Sequence, residues 1–331
     1  MEKIIECVPN ISEGRDLEKI KTVVEAIKRA GAKVLSFEPE ATYHRTVITL
    51  VGDPDSVLAG AFACIRSACQ VIDMRQHHGE HPRMGAADVV PFVPVRGVTM
   101  AECATLARKL GRRVGDQLGI PVYLYGEAAR KPEYQNLADV RKGEYEGLAE
   151  KLKDRAWAPD FGPAKFVPES GAVIVGARQF LVAYNVNLAS DNVALAGRIG
   201  KAIRTSGYKK GDQHVPGLFP AVKAMGFALE TGGRKIAQVS MNLVDFTQTN
   251  MHVVYEKVKE MAAAEGETVT GSEIVGLVPL AALGEAGRFY GGAGLDDRAA
   301  VEEAVRRLGL GDLAPFDPDK KVLEYVIAQT E

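Results

Sequence analysis

Three of the chain's six histidines fall close together, His77, His78 and His81, in the run HHGEHPRMGAAD. Imidazole is the side chain whose ordinary pKa lies closest to neutrality, so it can both accept and donate a proton there. Pro82 biases His81 toward an extended backbone and stiffens the loop. Gly79 and Gly85 allow tight turns on either side. Glu80 and Arg83 set a carboxylate and a guanidinium beside the rings. Three readings fit this stretch. It could be a surface loop with exposed histidines. It could supply a divalent metal with ligands from His77 or His78, Glu80 and His81. Neighbours this close on a proline-bearing loop cannot all point inward, however, and no distant His or Cys partner stands out. In the third reading one histidine moves protons for a small polar substrate, and His81 is favoured because Pro82 fixes it.

Other groups give weaker signals. His44 and Arg45 open a strand close to Glu38 and Glu40. Tyr123, Tyr125 and Glu127 alternate along one strand and share a face, as do Asn185 and Asn187. Each set could line a pocket or simply cover a sheet. Arg96, Arg178, Lys209 and Lys210 could meet carboxylates. Motifs for other chemistries are missing: no GxxxxGK(S/T), no GxGxxG after the first strand, no HExxH and no GxSxG.

The elements that must position these residues follow from periodicity. Lys3–Pro9 is a short apolar strand. Leu17, Ile20, Val23, Val24 and Ile27 share one face of a helix over Asp16–Ala30. Lys33–Glu38 and Arg45–Val51 are strands, the second rich in β-branched residues. A helix opens at Pro54 and runs to about Ile72, and a polar loop spans Asp73–Asp88. Val89–Val95 is a strand in which Pro94 suggests an edge or an end. Thr99 and Glu102 form a capping-box pair for a helix to Leu118, and Pro121–Gly126 is a further strand. Asp154–Gly171 reads as a domain connector with three prolines, yet it carries Trp157, Phe161 and Phe166. Large aromatics bury area, so an ordered segment is expected. In the second half, strands at 179–188, 222–229, 236–246 and 268–278 alternate with helices at 191–204 and 250–264, and a Gly- and Pro-containing loop spans 206–220. The order βαββαβ thus occurs twice, near residues 3–96 and 179–278, which is the split βαβ pattern. The fold class is α+β with two ferredoxin-like subdomains, residues 1–178 and 179–331.

Composition narrows the function classes. The chain has 331 residues with 46% hydrophobic and 25% charged, ordinary for a globular protein. Lys+Arg is 41 against Asp+Glu 43, a net charge of −2. That balance argues against a general nucleic-acid binder but leaves room for a local site for small anions. No signal peptide and no long apolar run is visible, so neither secretion nor a membrane is expected. Cys7, Cys64, Cys69 and Cys103 form no CxxC pair and lie in apolar stretches, which suits a reducing, cytoplasmic compartment.

Several segments together resemble a known family. ECVPNISEG (6–14), GEHPRMGAAD (79–88), VPFVPVRGVT (90–99), PVYLYGEAA (121–129), WAPDFGP (157–163) and EIVGLVP (273–279) resemble, in order and spacing, the glutamate formimidoyltransferases, or formiminotransferases. The resemblance runs through nearly the whole chain. It implies transfer of the formimidoyl group from N-formimidoyl-L-glutamate to N5 of tetrahydrofolate, a folate co-substrate and no metal, as part of histidine degradation and one-carbon metabolism. It also implies a homodimer whose protomers hold folate, in some cases polyglutamylated, in a tunnel or cleft between the two subdomains. His81 takes the place of the catalytic histidine. The folate-binding segment corresponds to Gly162, Pro163, Ala164, Lys165, Phe166, Val167, Pro168, Glu169, Ser170 and Gly171. Glu38 stands where the family usually has an assisting Asp, one methylene shorter. His44, Arg45 and Arg83 are the expected substrate contacts. Vertebrate relatives are fused to a cyclodeaminase; with the chain stopping at Glu331, that second activity is not expected. Three alternatives stay open: a glutamate formyltransferase working with 5-formyltetrahydrofolate, a metal-dependent hydrolase, and a folate carrier without catalysis.

Overall fold

A computed structural model describes residues 3–79, 81–231 and 233–329. The chain divides into two compact units, the first ending at Gln179 and the second beginning at Phe180.

The first unit opens with a strand broken by Pro9 into β1 (Ile4–Cys7) and β2 (Asn10–Ile11). Helix α1 (Leu17–Arg29) starts where the Asp16 side chain accepts from the backbone N–H groups of Glu18 and Lys19. It buries Ile20, Val23, Val24 and Ile27, the stripe set by its sequence. Strands β3 (Lys33–Glu40) and β4 (Arg45–Gly52) form a hairpin, and α2 (Pro54–Val71) follows, capped by Asp53. Strand β5 (Ala87–Arg96) leads to α3 (Met100–Leu118), which carries the complete Thr99–Glu102 capping box and ends at Gly119 with φ 66°. Then come β6 (Val122–Gly126), the short helices α4 (Leu137–Arg141) and α5 (Glu144–Lys151), and β7 (Val173–Ala177).

In the sheet, β3 pairs with β4, β4 with the broken β1/β2, and these with β5, all antiparallel. Strand β7 then inserts between β5 and β6, parallel to both. Of the two expectations at Pro94, an edge strand or a strand end, the edge is corrected here, because β5 is interior; Pro94 lies two residues from its end. Pro94 is tolerated because β7 pairs only with Val89–Phe92, so no partner on that side needs the missing N–H.

Helices α1, α2 and α3 pack on one face through residues such as Val90, Phe92, Leu124 and Val175. The alternate residues Val89, Tyr123, Tyr125 and Ile174 meet a second cluster made with α4, α5 and the aromatic segment. Tyr123 and Tyr125 thus cover the sheet, and the Tyr123 hydroxyl donates to the Trp157 carbonyl at 3.0 Å. Trp157 stacks on Tyr134 with centroids 5.6 Å apart. Lys151 sits 4.1 Å over the Trp157 ring, and burial brings its ammonium down to about 8. The aromatic segment is ordered, and it joins elements of the first unit, because β7 follows it into the first sheet.

The second unit contains β8 (Val182–Leu188), α6 (Val193–Ile203), a short hairpin of β9 (Tyr208–Lys210) and β10 (Gln213–Val215), then β11 (Val222–Thr231), β12 (Arg234–Leu243), α7 (Met251–Ala264) and β13 (Val269–Val275). Its sheet order is β11-β12-β8-β13, antiparallel throughout. Helices α8 (Leu280–Gly291) and α9 (Asp297–Arg307) add to its core. Asn185 and Asn187 do share a face. The first donates to Glu273 at 2.8 Å and the second to Asp312 at 2.9 Å.

Candidate active site

The histidine loop is a surface loop only in part: Arg75, Gln76, His78 and Pro82 are exposed. Met74, His77, Arg83 and Met84 are buried, so the segment packs as part of the first unit. Its backbone is stitched to its neighbours. Ala86 donates to the Ser170 carbonyl at 2.9 Å, Ala172 to that of Met84 at 3.0 Å, and Met74 to that of Glu169 at 2.9 Å. Gly85 and Gly171 are required at this seam. A Cβ on Gly85 would lie 2.3 Å from the Ala172 oxygen, and one on Gly171, at φ 66°, would lie 2.2 Å from the Met84 oxygen. The end of the segment expected to hold folate is therefore fixed against the histidine loop. Gly162 to Lys165 at its start are exposed, while Ser170 and Gly171 are buried.

His77 and His44 form the base of the loop. Their rings stack with centroids 4.2 Å apart and planes 14° from parallel. The Nε2 of His77 donates to the His44 carbonyl at 2.8 Å, and its Nδ1 accepts from Arg83 Nε at 3.2 Å. Both bonds suit a neutral ring protonated on Nε2. Burial holds its pKa below the ordinary value, with His44 and Arg83 adding repulsion. His44 takes a left-handed backbone, φ 50°, and its Nδ1 and Nε2 face two acceptors, the His78 carbonyl and Glu13 Oε1, each at 3.0 Å. Glu13, 5% exposed, also accepts backbone N–H bonds from Gly14, Arg15 and Asp16 at 3.0–3.1 Å. Burial would raise its pKa, but the bonds from Asp16 and Arg15 and from His44 outweigh that and hold it below the usual carboxylate range. Glu13 is a member of this site that residue type and spacing did not single out, although it lies within the ECVPNISEG segment.

Arg83 braces the loop from the other side. Its two Nη groups form a fork on Glu146 at 2.8 and 2.6 Å, Nη2 also reaches the His77 carbonyl, and Glu144 lies at 3.5 Å. With Nε on His77, this guanidinium is 5% exposed and its donors are largely committed to protein partners. Asp88, 1% exposed, accepts from the Met84 N–H at 2.8 Å and pairs with Arg141 of α4. Burial pushes its carboxyl pKa up, against the pull of Arg141 and the Met84 N–H. Arg141 and Glu146 gave no sequence signal, because α4 and α5 are short and reach the loop only through the tertiary fold.

His81 differs from its neighbours. It is half-buried, and among the described residues it has no hydrogen-bond partner. Burial, reinforced by Arg45, Arg141, His77 and Arg83, lowers its pKa to about 3. At neutral pH the ring is therefore uncharged, a free base under the repulsion of three guanidinium groups. Arg45 pairs with Glu40 at 2.6 Å, and both Arg45 and Arg141 keep a buried Nε with no bonding partner among the described residues. Glu38 is exposed on β3, opposite Val47 of β4, and no hydrogen bond joins it to His81 among the described residues. Glu80, invoked in the metal reading, lies outside the described residues. Among those that are described, no three His, Cys, Asp or Glu side chains converge as metal ligands.

The depressed His81 pKa has a testable consequence for stability. Between the ordinary value of 6.5 and the folded value near 3, the unfolded chain binds a proton that the folded chain refuses. Stability contributed by this effect is present above pH 6.5 and is lost as pH falls toward 3. Urea midpoints at pH 7 and pH 4.5 should thus drop less for His81→Gln than for the parent. Equal drops would mean that the ring is not held as a buried base.

Comparison with known proteins decides the family. The model of the formiminotransferase domain, N-terminal subdomain, matches residues 4–178, and that of the formiminotransferase domain matches residues 183–328. The chain belongs to the formiminotransferase family. It is 45% identical to a glutamate formimidoyltransferase of Streptococcus pyogenes serotype M1, over 88% of this chain and 94% of that protein. A glutamate formimidoyltransferase of Thermoplasma acidophilum is 44% identical, over 87% of this chain and 92% of its own length. A formimidoyltransferase-cyclodeaminase of Rattus norvegicus is 47% identical over 99% of this chain. This formiminotransferase chain spans about three-fifths of the length of that bifunctional relative. No helix among the described residues is long and apolar enough to cross a membrane.

Proposed function

We propose that this chain is a glutamate formimidoyltransferase, moving the formimidoyl group of N-formimidoyl-L-glutamate to N5 of tetrahydrofolate, with His81 as general acid and base. The observation that carries the reading is the uncharged, unpartnered His81 ring among Arg45, Arg141 and Arg83. Family membership and the two stand-alone relatives support the reaction class.

The chemistry needs a base first and an acid second. N5 attacks the electrophilic formimidoyl carbon, forming a C–N bond and a tetrahedral intermediate. His81 takes the N5 proton. The bond from that carbon to the glutamate nitrogen then breaks, and the proton passes to the departing nitrogen. No net proton is gained, and the products are 5-formimidoyltetrahydrofolate and glutamate. Arrival of substrate carboxylates beside Arg45 and Arg141 offsets their positive charge. That lets the protonated form of His81 persist long enough to act as an acid. In this reading Arg45 and His44 face the glutamate donor, Arg83 acts chiefly as the brace of the loop, and residues 162–171 hold folate. Glu38 has the family's assisting role only if it turns toward His81. Holding both substrates side by side supplies a further large share of the rate.

The finer architecture belongs to the same reading. Numbering the core strands of each unit in chain order, both sheets run 4-1-3-2, which supports two ferredoxin-like subdomains. A cytoplasmic homodimer acting in histidine degradation follows from the resemblance. The deciding experiment is a transfer assay with tetrahydrofolate, offering N-formimidoyl- and N-formyl-L-glutamate as donors, and the reverse reaction from 5-formyltetrahydrofolate. Turnover with the formimidoyl donor at least tenfold above the formyl donor is expected. The opposite ranking would make the chain a glutamate formyltransferase.

A further inference from the structure

A second concentration of positive charge lies on α3. A cavity of about 440 Å³ is lined by Arg108, Lys109, Arg112, Arg113 and Arg130, together with Phe161, and Asp116 is the one carboxylate in its lining. Unlike Arg45, Arg83 and Arg141, none of these five cations has a carboxylate partner among the described residues. Aromatic rings hold several of the guanidinium groups. Arg130 lies 4.5 Å and Arg112 5.5 Å from the Phe161 centroid, and Arg113 lies 3.9 Å from that of Phe62. Such contacts steady a guanidinium while leaving its N–H donors open.

Folding does not require this arrangement. The buried face of α3 is set by Leu106, Ala107, Leu110 and Val114. On the outer face, Arg108 and Arg112 are four residues apart, as are Lys109 and Arg113. Like charges at that spacing cost a helix about 0.2–0.5 kcal/mol per pair. The last turn of α3 holds no basic residue, so the helix dipole does not compensate. The charge is also local, since the chain as a whole carries −2.

We propose that this groove binds a small oligophosphate, a linear chain of about three phosphates, at a site separate from that of His81. Guanidinium forks match phosphate oxygens bidentately. Five cations against one carboxylate suit a compact ligand carrying several negative charges. A peptide-like carboxylate chain of equal charge needs far more atoms than a cavity of this size accommodates. None of the residues lining the groove belongs to the histidine loop or to residues 162–171.

The test is calorimetric titration of the full chain with sodium tripolyphosphate at constant ionic strength. Binding at least tenfold tighter than orthophosphate is expected. It should weaken at least tenfold in Arg112→Gln/Arg130→Gln, and also in Arg113→Gln, with circular dichroism and formimidoyl transfer unchanged. Saturating folate and N-formimidoyl-L-glutamate should leave the affinity unaltered, whatever the chain's transferase activity proves to be. Tripolyphosphate binding no tighter than orthophosphate, or unweakened binding by the variants, overturns the site. Displacement by a tetra-γ-glutamate overturns the assignment to phosphate, and displacement by folate overturns its separateness.

Discussion

His81→Ala is expected to lower kcat for formimidoyl transfer by roughly 10²–10⁴-fold, the range that a positioned acid–base group contributes. The KM for tetrahydrofolate should change little, because the ring has no hydrogen bond with the described residues and is not part of the loop's bracing. Fold stability should also hold, since the ring is only half-buried and lies under the repulsion of nearby cations. The loss would then fall on kcat and kcat/KM alike, the signature of an interaction made in the transition state. A variant turning over near the parent rate would end the assignment of His81 as the proton carrier.

The largest stability effect is expected at Asp88. Its carboxylate is fully buried, caps the Met84 N–H and pairs with Arg141. Asp88→Ala leaves a largely buried guanidinium without its partner and a backbone donor without an acceptor. Breaking one side of a buried pair costs about 3–5 kcal/mol, which urea unfolding would read directly. Asp88→Asn keeps an oxygen for Met84 and should lose less. A loss under about 1 kcal/mol in the alanine variant would show that water replaces the pair.

The local elements were readable because their signals are local. Asp16, Pro54 and the Thr99–Glu102 box mark helix starts through effects confined to the first turn. The βαββαβ order followed from alternating periods. The rest depended on contacts distant in sequence. Pro94 reads as an edge or an end, and it sits near the end of an interior strand whose neighbour β7 is shorter. Composition left a solvated surface open as one reading of the 73–88 loop, but Arg83, His77 and its backbone are bonded to Glu146, His44 and the 169–172 backbone. His81 stood out by type and by Pro82, whereas Arg141 is an ordinary arginine in a five-residue helix. After Val278, helix α8 is rich in Ala and Gly and shows no clean apolar stripe, so packing against α9 defines it.

The late entry of β7 into the middle of the first sheet constrains how this unit comes into being on the ribosome. Until residues 173–177 have emerged, β5 and β6 each present an unpaired edge, and the backbone partners of the histidine loop at 169–172 are not yet in place. Unpaired edges of partly made sheets are the usual starting points of aggregation. Synthesis that pauses between Gly126 and Val173 therefore leaves those edges open, and the histidine loop gains its backbone partners at 169–172 only once the segment leading into β7 has been made.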